Sequence, residues 1–165
     1  FDGNSSTEPG WHYDVVAPGY KYNLTDTAAA MGRVQLQRAR EMADRRAAIA
    51  AEFDRAFADL PVTLPAHAPE GSSHAWHLYV LRLDPGAPVA RDRFIELMAE
   101  REVGTSVHFI PLHLQPYWRD SYQHWPEDFP VATAEFAKAV SLPAFSAMTD
   151  DDVAQVIDAV RSILG

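Results

Sequence analysis

The sequence predicts an α+β fold, a long N-terminal helix followed by a small sheet covered by helices. Three observations carry that reading. From Thr25 to about Leu60 the chain is free of Pro and rich in Ala, Arg, Glu and Leu, as a long helix requires. Residues 74–83 and 104–112 concentrate aromatic and β-branched side chains and read as strands. From Thr149 onward Val153, Val156, Ile157, Val160 and Leu164 form the apolar stripe of an amphipathic helix. A few strands interleaved with helices make a two-layer α+β domain.

Taken in order, Thr25 or Asp26 starts the first helix, since either side-chain oxygen can accept an orphan backbone N–H. Ile49, Phe53 and Phe57 mark its buried stripe, and Pro61 ends it. The run is long for one globular helix, so a break is expected near Gly32 or Arg40. "VTLP" (62–65) is a short edge strand and "AHAPEGSS" a loop. "HAWHLYVLRL" (74–83) has apolar residues on both faces, which suits a central strand. After the turn "DPGAPV", "ARDRFIELMAERE" places Phe94, Ile95 and Met98 on one helical face. "GTSVHFIPL" (104–112) is a second strand ended by Pro111, and its pairing direction stays open. Residues 113–129, "HLQPYWRDSYQHWPEDF", suit a packed surface loop with a short helical turn. "VATAEFAKAVS" is a brief helix, "LPAF" is extended, and Asp150, Asp151 and Asp152 meet the positive end of the last helix.

The bulk composition narrows the function classes. A chain of 165 residues is the size of one domain, and its net charge of −9 argues against a general grip on nucleic acid. Without cysteine there is no disulfide, thiolate metal site or cysteine nucleophile. No apolar run approaches the roughly 20 residues of a membrane span, and no signal-peptide pattern opens the chain, so a cytoplasmic location is expected.

Few residues invite chemistry. His74 and His77 are three apart on an expected strand, which sends them to opposite faces, and His108 and His113 have no acidic ligand at a recognisable offset. No metal site is therefore expected. No serine sits in a Gly-x-Ser-x-Gly turn, and no phosphate-loop glycine pattern is present. What remains is "PGYKYNLTD" (18–26), where Lys21, one of two lysines, stands two residues before Asn23, just ahead of the long helix. An ammonium and an amide there are natural donors toward an anion such as phosphate. The alternative is an exposed lysine beside a turn asparagine.

Residue strings add a resemblance. Gly19, Tyr20, Lys21, Asn23, Leu24, Asp26, Gly32, Gln35, Leu36, Arg45 and Arg46 follow the pattern that opens the small C-terminal domain of the DegT–StrS family. "HAWHLYVLRLD", "VGTSVHFIPLHLQPYW" and "SLPAF" with "MTDDDVAQVIDAV" resemble later family segments in the right order, so the likeness runs from about Gly10 to Leu164. These are pyridoxal-phosphate-dependent nucleotide-sugar aminotransferases of fold type I. The Lys21–Tyr22–Asn23 variant most resembles the branch containing UDP-4-amino-4-deoxy-L-arabinose–oxoglutarate aminotransferase.

The resemblance implies that residues 1–24 are a loop entering from a large cofactor-binding domain and residues 25–165 the small domain. It implies a homodimer in which Lys21 and Asn23 reach the neighbouring subunit's pyridoxal 5'-phosphate, while Tyr20, His108 and Phe109 line the substrate side. For His108 a strand-end histidine satisfied by backbone is the competing reading. No catalytic residue is assigned. The Schiff-base lysine is expected in a Ser-x-x-x-x-Lys segment of the large domain, and neither Lys21 nor Lys138 lies in such a context. Glutamate would donate the amino group and a keto nucleotide sugar would receive it, with no membrane or nucleic-acid partner. A non-catalytic dimerisation or regulatory module, or a sugar dehydrase of the same family, stays open as an alternative.

Overall fold

Thr25 begins the long helix: its Oγ1 accepts the Ala28 N–H at 3.3 Å. In the computed structural model, which describes residues 17, 19, 20 and 22–165, helix α1 then runs Asp26–Phe57. The break expected near Gly32 or Arg40 does not occur. A Cβ at Gly32 would meet nothing within 4 Å, so no close approach demands glycine there. Its cost of about 1 kcal/mol against Ala is absorbed by the strong helix formers on both sides.

The chain divides into two units, Phe1–Gln37 and Arg38–Gly165, each described by itself. In the first, residues 30–37 of α1 are exposed, including Met31, Val34 and Leu36. In the second, Ile49, Ala50, Phe53 and Phe57 of α1 are fully buried. They join Tyr79, Leu81, Phe94, Met98, Val153 and Val160 in one core.

The sheet has three strands, β1 (Val62–Thr63), β2 (Tyr79–Leu83) and β3 (Ala139–Leu142), in the order β1-β2-β3. Both pairings are antiparallel, with Val62 opposite Leu83 and Tyr79 opposite Leu142. The expected central strand is therefore central, but shorter: Tyr79, Leu81 and Leu83 are buried, while Val80 and Arg82 are half-buried on the other face. Residues 74–78 are not strand. Trp76 takes a left-handed φ of 46° and donates its N–H to His74 Nδ1 at 2.8 Å, turning the chain before β2.

Two strand expectations are corrected. Residues 104–112 do not form a strand. Only Ser106 bridges Ser141, through reciprocal backbone bonds of 3.1 and 2.7 Å, and beyond it Phe109 and Ile110 turn outward. The real third strand is β3, whose first residues were expected to continue a helix. Helix α4 stops at Lys138 (Pro130–Lys138), because pairing of Ala139–Leu142 with β2 overrides the local preference of an alanine-rich run.

The remaining helices are α2 (Arg91–Glu100), α3 (Pro116–Tyr122), which lies inside the aromatic stretch, and α5 (Asp150–Leu164). Of these, α2 packs on β3 and on α5, while α3 packs on the turn at Leu112–Leu114. Helix α5 opens on a reciprocal cap. Asp152 N–H donates to Thr149 Oγ1 at 3.1 Å and Thr149 N–H to Asp152 Oδ2 at 2.8 Å. Arg45 donates to the Met148 carbonyl and to Asp150 Oδ1, fastening α1 to the start of α5. No described helix is long and apolar enough to cross a membrane.

Candidate functional site

Residues 104–113 leave the edge of β3 through the Ser106–Ser141 bridge. That departure brings the His108 ring back onto the strand. His108 Nδ1 lies 3.0 Å from Ser141 Oγ and 3.3 Å from Ser106 Oγ. The competing reading of His108, a histidine satisfied by backbone, does not hold: its partners are hydroxyls. Nε2 makes no hydrogen bond among the described residues and the side chain is exposed. The Phe109 ring stands edge-on to it, with centroids 4.7 Å apart, and is 77% exposed. One residue upstream of Ser106, Thr105 Oγ1 is buried with no partner among the described residues.

His113 has a different fate from His108. It is buried, stacks on Phe129 at 4.8 Å, and its Nε2 bonds Thr133 Oγ1 at 2.9 Å. Thr133 in turn donates to the Pro126 carbonyl at 3.2 Å. This chain of contacts pins residues 113–133 to one another and leaves His113 no free face.

The segment ahead of α1 belongs to the first unit. Tyr20 and Tyr22 are exposed, with rings 5.6 Å apart. Asn23 is also exposed, and its amide makes no hydrogen bond among the described residues. Lys21, the other residue expected to meet an anion, lies outside the described residues. Asn23 offers an amide N–H, and the sequence adds the Lys21 ammonium. That donor set suits a phosphate-bearing coenzyme. Lys138, by contrast, pairs with Glu135 at 2.8 Å on α4, and its ammonium holds the Glu135 carboxyl below its usual range, with Arg82 helping.

The structure thus joins His108 to Phe109, and Tyr20 and Asn23 to one short segment, the two pairs falling in separate units. Sequence reasoning missed Ser106 and Ser141. They are 35 residues apart, and only the sheet register reveals that they share a histidine.

The chain is similar in sequence and fold to known proteins. The profile of the DegT/DnrJ/EryC1/StrS aminotransferase family matches residues 3–161. The chain is 42% identical over 161 residues to the spore coat polysaccharide biosynthesis protein SpsC of Bacillus subtilis, covering 96% of this chain and 41% of SpsC. Among solved structures it resembles Spr1654 of Streptococcus pneumoniae, a candidate sugar aminotransferase, with a TM-score of 0.81 and 30% identity over 93% of this chain and 38% of that one. Spr1654 is known in apo, PMP and PLP forms. S. venezuelae DesV, solved in complex with a ketimine intermediate, gives a TM-score of 0.77 and 30% identity over 91% of this chain and 39% of that one. The chain therefore spans about two-fifths of the length of these relatives.

Proposed function

The chain belongs to the DegT/DnrJ/EryC1/StrS aminotransferase family, and from that premise we propose that it works as the C-terminal part of a pyridoxal-phosphate-dependent sugar aminotransferase. The observation that carries the reading is the family match across residues 3–161. The amino group passes from glutamate to a keto nucleotide sugar, in a cytoplasmic homodimer that shares its cofactor sites. The acceptor is a 4-keto or 3-keto nucleotide sugar, and the name of SpsC supports a place in the building of surface polysaccharide.

Each named side chain has a role in this proposal. The Lys21 ammonium and the Asn23 amide hold the cofactor phosphate from the neighbouring subunit, as charge-assisted donors do well. The cofactor, when bound, supplies the electron sink of the reaction. Tyr20 and, beside His108, the exposed Phe109 ring are each assigned to contact the sugar nucleotide. His108 turns its unoccupied Nε2 toward a substrate oxygen. Neither lysine of this chain links the cofactor, so the proton-shuttling lysine belongs to another part of the protein.

The test compares the 165-residue chain with the full-length protein that carries it. The chain alone is expected to show no pyridoxal absorbance and no transamination, and the full-length protein to transfer the amino group from glutamate to a 4-keto or 3-keto nucleotide sugar. Turnover by the chain alone would contradict the division of labour. A full-length protein inert toward every keto nucleotide sugar would contradict the substrate class.

A further inference from the structure

We propose that Ser141 is a positioning residue that fixes the His108 imidazole with its proton on Nε2, so that His108 meets its substrate as a hydrogen-bond donor. The starting point is an accounting of one buried hydroxyl. Ser141 is 4% exposed, and its backbone N–H and C=O are used in the bridge to Ser106. Its hydroxyl carries a single hydrogen, which needs an acceptor because the group is out of water. Among the described residues the one partner within bonding distance is His108 Nδ1, 3.0 Å away.

The Ser141 O–H therefore donates, and Nδ1 accepts with its lone pair. A neutral imidazole has one hydrogen, so it sits on Nε2. The reverse arrangement, Nδ1–H donating to Ser141, strands the hydroxyl hydrogen in a buried place, a penalty that biases the tautomer on the order of tenfold. Ser106 does not decide the matter. It is exposed and 3.3 Å from Nδ1, and water can take its hydrogen.

The consequence is chemical selectivity. Exposed Nε2–H seeks an acceptor, such as a phosphate, carbonyl or hydroxyl oxygen of the ligand, and offers nothing to an ammonium. This step rests on the proposed placement of His108 beside the sugar nucleotide, whereas the tautomer itself rests on the Ser141 contact alone.

The experiment is nitrogen NMR of the histidine side chains in the full-length protein that carries this chain, with His108 assigned by the peaks lost in His108→Gln. With the ring neutral, wild type is expected to show the Nε2–H pattern. Ser141→Ala is expected to lower the ratio of Nε2–H to Nδ1–H by about tenfold, and Ser106→Ala to leave it within about twofold. An Nδ1–H pattern in wild type, or a ratio untouched by Ser141→Ala, overturns the proposal. If Ser141→Ala loses its amide dispersion, the wild-type pattern decides. In the full-length protein Ser141→Ala should raise KM for the nucleotide sugar about two- to twelvefold, the worth of one hydrogen bond, with kcat little changed. An unaltered KM there contradicts the donor role. An unaltered KM in His108→Ala refutes the placement of His108 at the substrate, while the NMR result still judges the tautomer.

Discussion

Asp54 accepts the Tyr79 phenol O–H at 2.8 Å, joining α1 to the central strand. Tyr79 is fully buried, with Phe53 edge-on at 5.1 Å and Trp76 at 6.0 Å. His67 Nε2 lies 3.1 Å from the other Asp54 oxygen, which accepts no hydrogen bond among the described residues. Tyr79 is thus the hydrogen-bond donor to this carboxylate among the described residues. Tyr79→Phe should cost about 1.5–3 kcal/mol, the range for a hydrogen bond to a charged group, measured by urea denaturation.

The same pair sets the response to alkali. Burial pushes the Tyr79 phenol up from its ordinary value near 10.0, and the hydrogen bond and charge of Asp54 push it further. In the unfolded chain the phenol loses its proton above about 10, while the folded state keeps it. The unfolded state then binds fewer protons, so stability falls as pH rises past that point. Tyr79→Phe should flatten this alkaline limb, and an unchanged slope would contradict the coupling.

At the acid end the sign reverses. The Thr149 N–H, then its hydroxyl, holds the Asp152 carboxyl below its usual 3.8, and the Arg161 guanidinium does the same for Asp59. The stability they confer is present above the unfolded value and is lost as pH falls through the folded one. Asp152→Asn should shallow the acid limb. Thr149→Ala should remove about 1 kcal/mol at neutral pH, read as a lower thermal midpoint.

The exposed half of α1 permits a cleaner test of helix propensity. Nothing lies within 4 Å of a Cβ at Gly32, and residues 30–41 are all exposed. Gly32→Ala should gain the chain about 0.4–1 kcal/mol of local helix stability. The gain should appear as a stronger helical circular-dichroism signal with little change in the midpoint of the core. A fall in helicity would mean that the glycine is needed for its conformation.

How much of this was legible follows from what each residue depends on. The stripe of Ile49, Phe53 and Phe57 and the face of α5 were readable because helical burial is periodic and local. The cap at Thr149 was readable for the same reason. β3 was not, because Ala139–Leu142 becomes a strand only when Tyr79–Arg82 is there to pair with it. Residues 104–112 erred in the opposite direction. Their β-branched composition suits a strand, yet the ladder with β3 consists of Ser106 alone. His108 and Phe109 were named by resemblance, but the hydroxyl that holds His108 sits 33 residues away and no spacing rule points to it.

Exposed apolar residues set the behaviour of the chain in isolation. Tyr20 is 87% exposed, and Leu24, Met31, Leu36, Ile110 and Val131 are also open to solvent. Large apolar side chains left wet in each unit favour burial against another surface. The 165-residue chain should therefore associate with rising concentration in light scattering, and a monodisperse monomer across that range would contradict this expectation.

The most direct measurement is the pyridoxal phosphate dissociation constant of the full-length protein with Asn23→Ala and with Lys21→Ala. Asn23→Ala should weaken binding about two- to twelvefold, as the loss of one hydrogen bond does, and Lys21→Ala should weaken it further because it removes a charge-assisted donor. Cofactor affinity unchanged in both variants would contradict the claim that this segment grips the coenzyme phosphate.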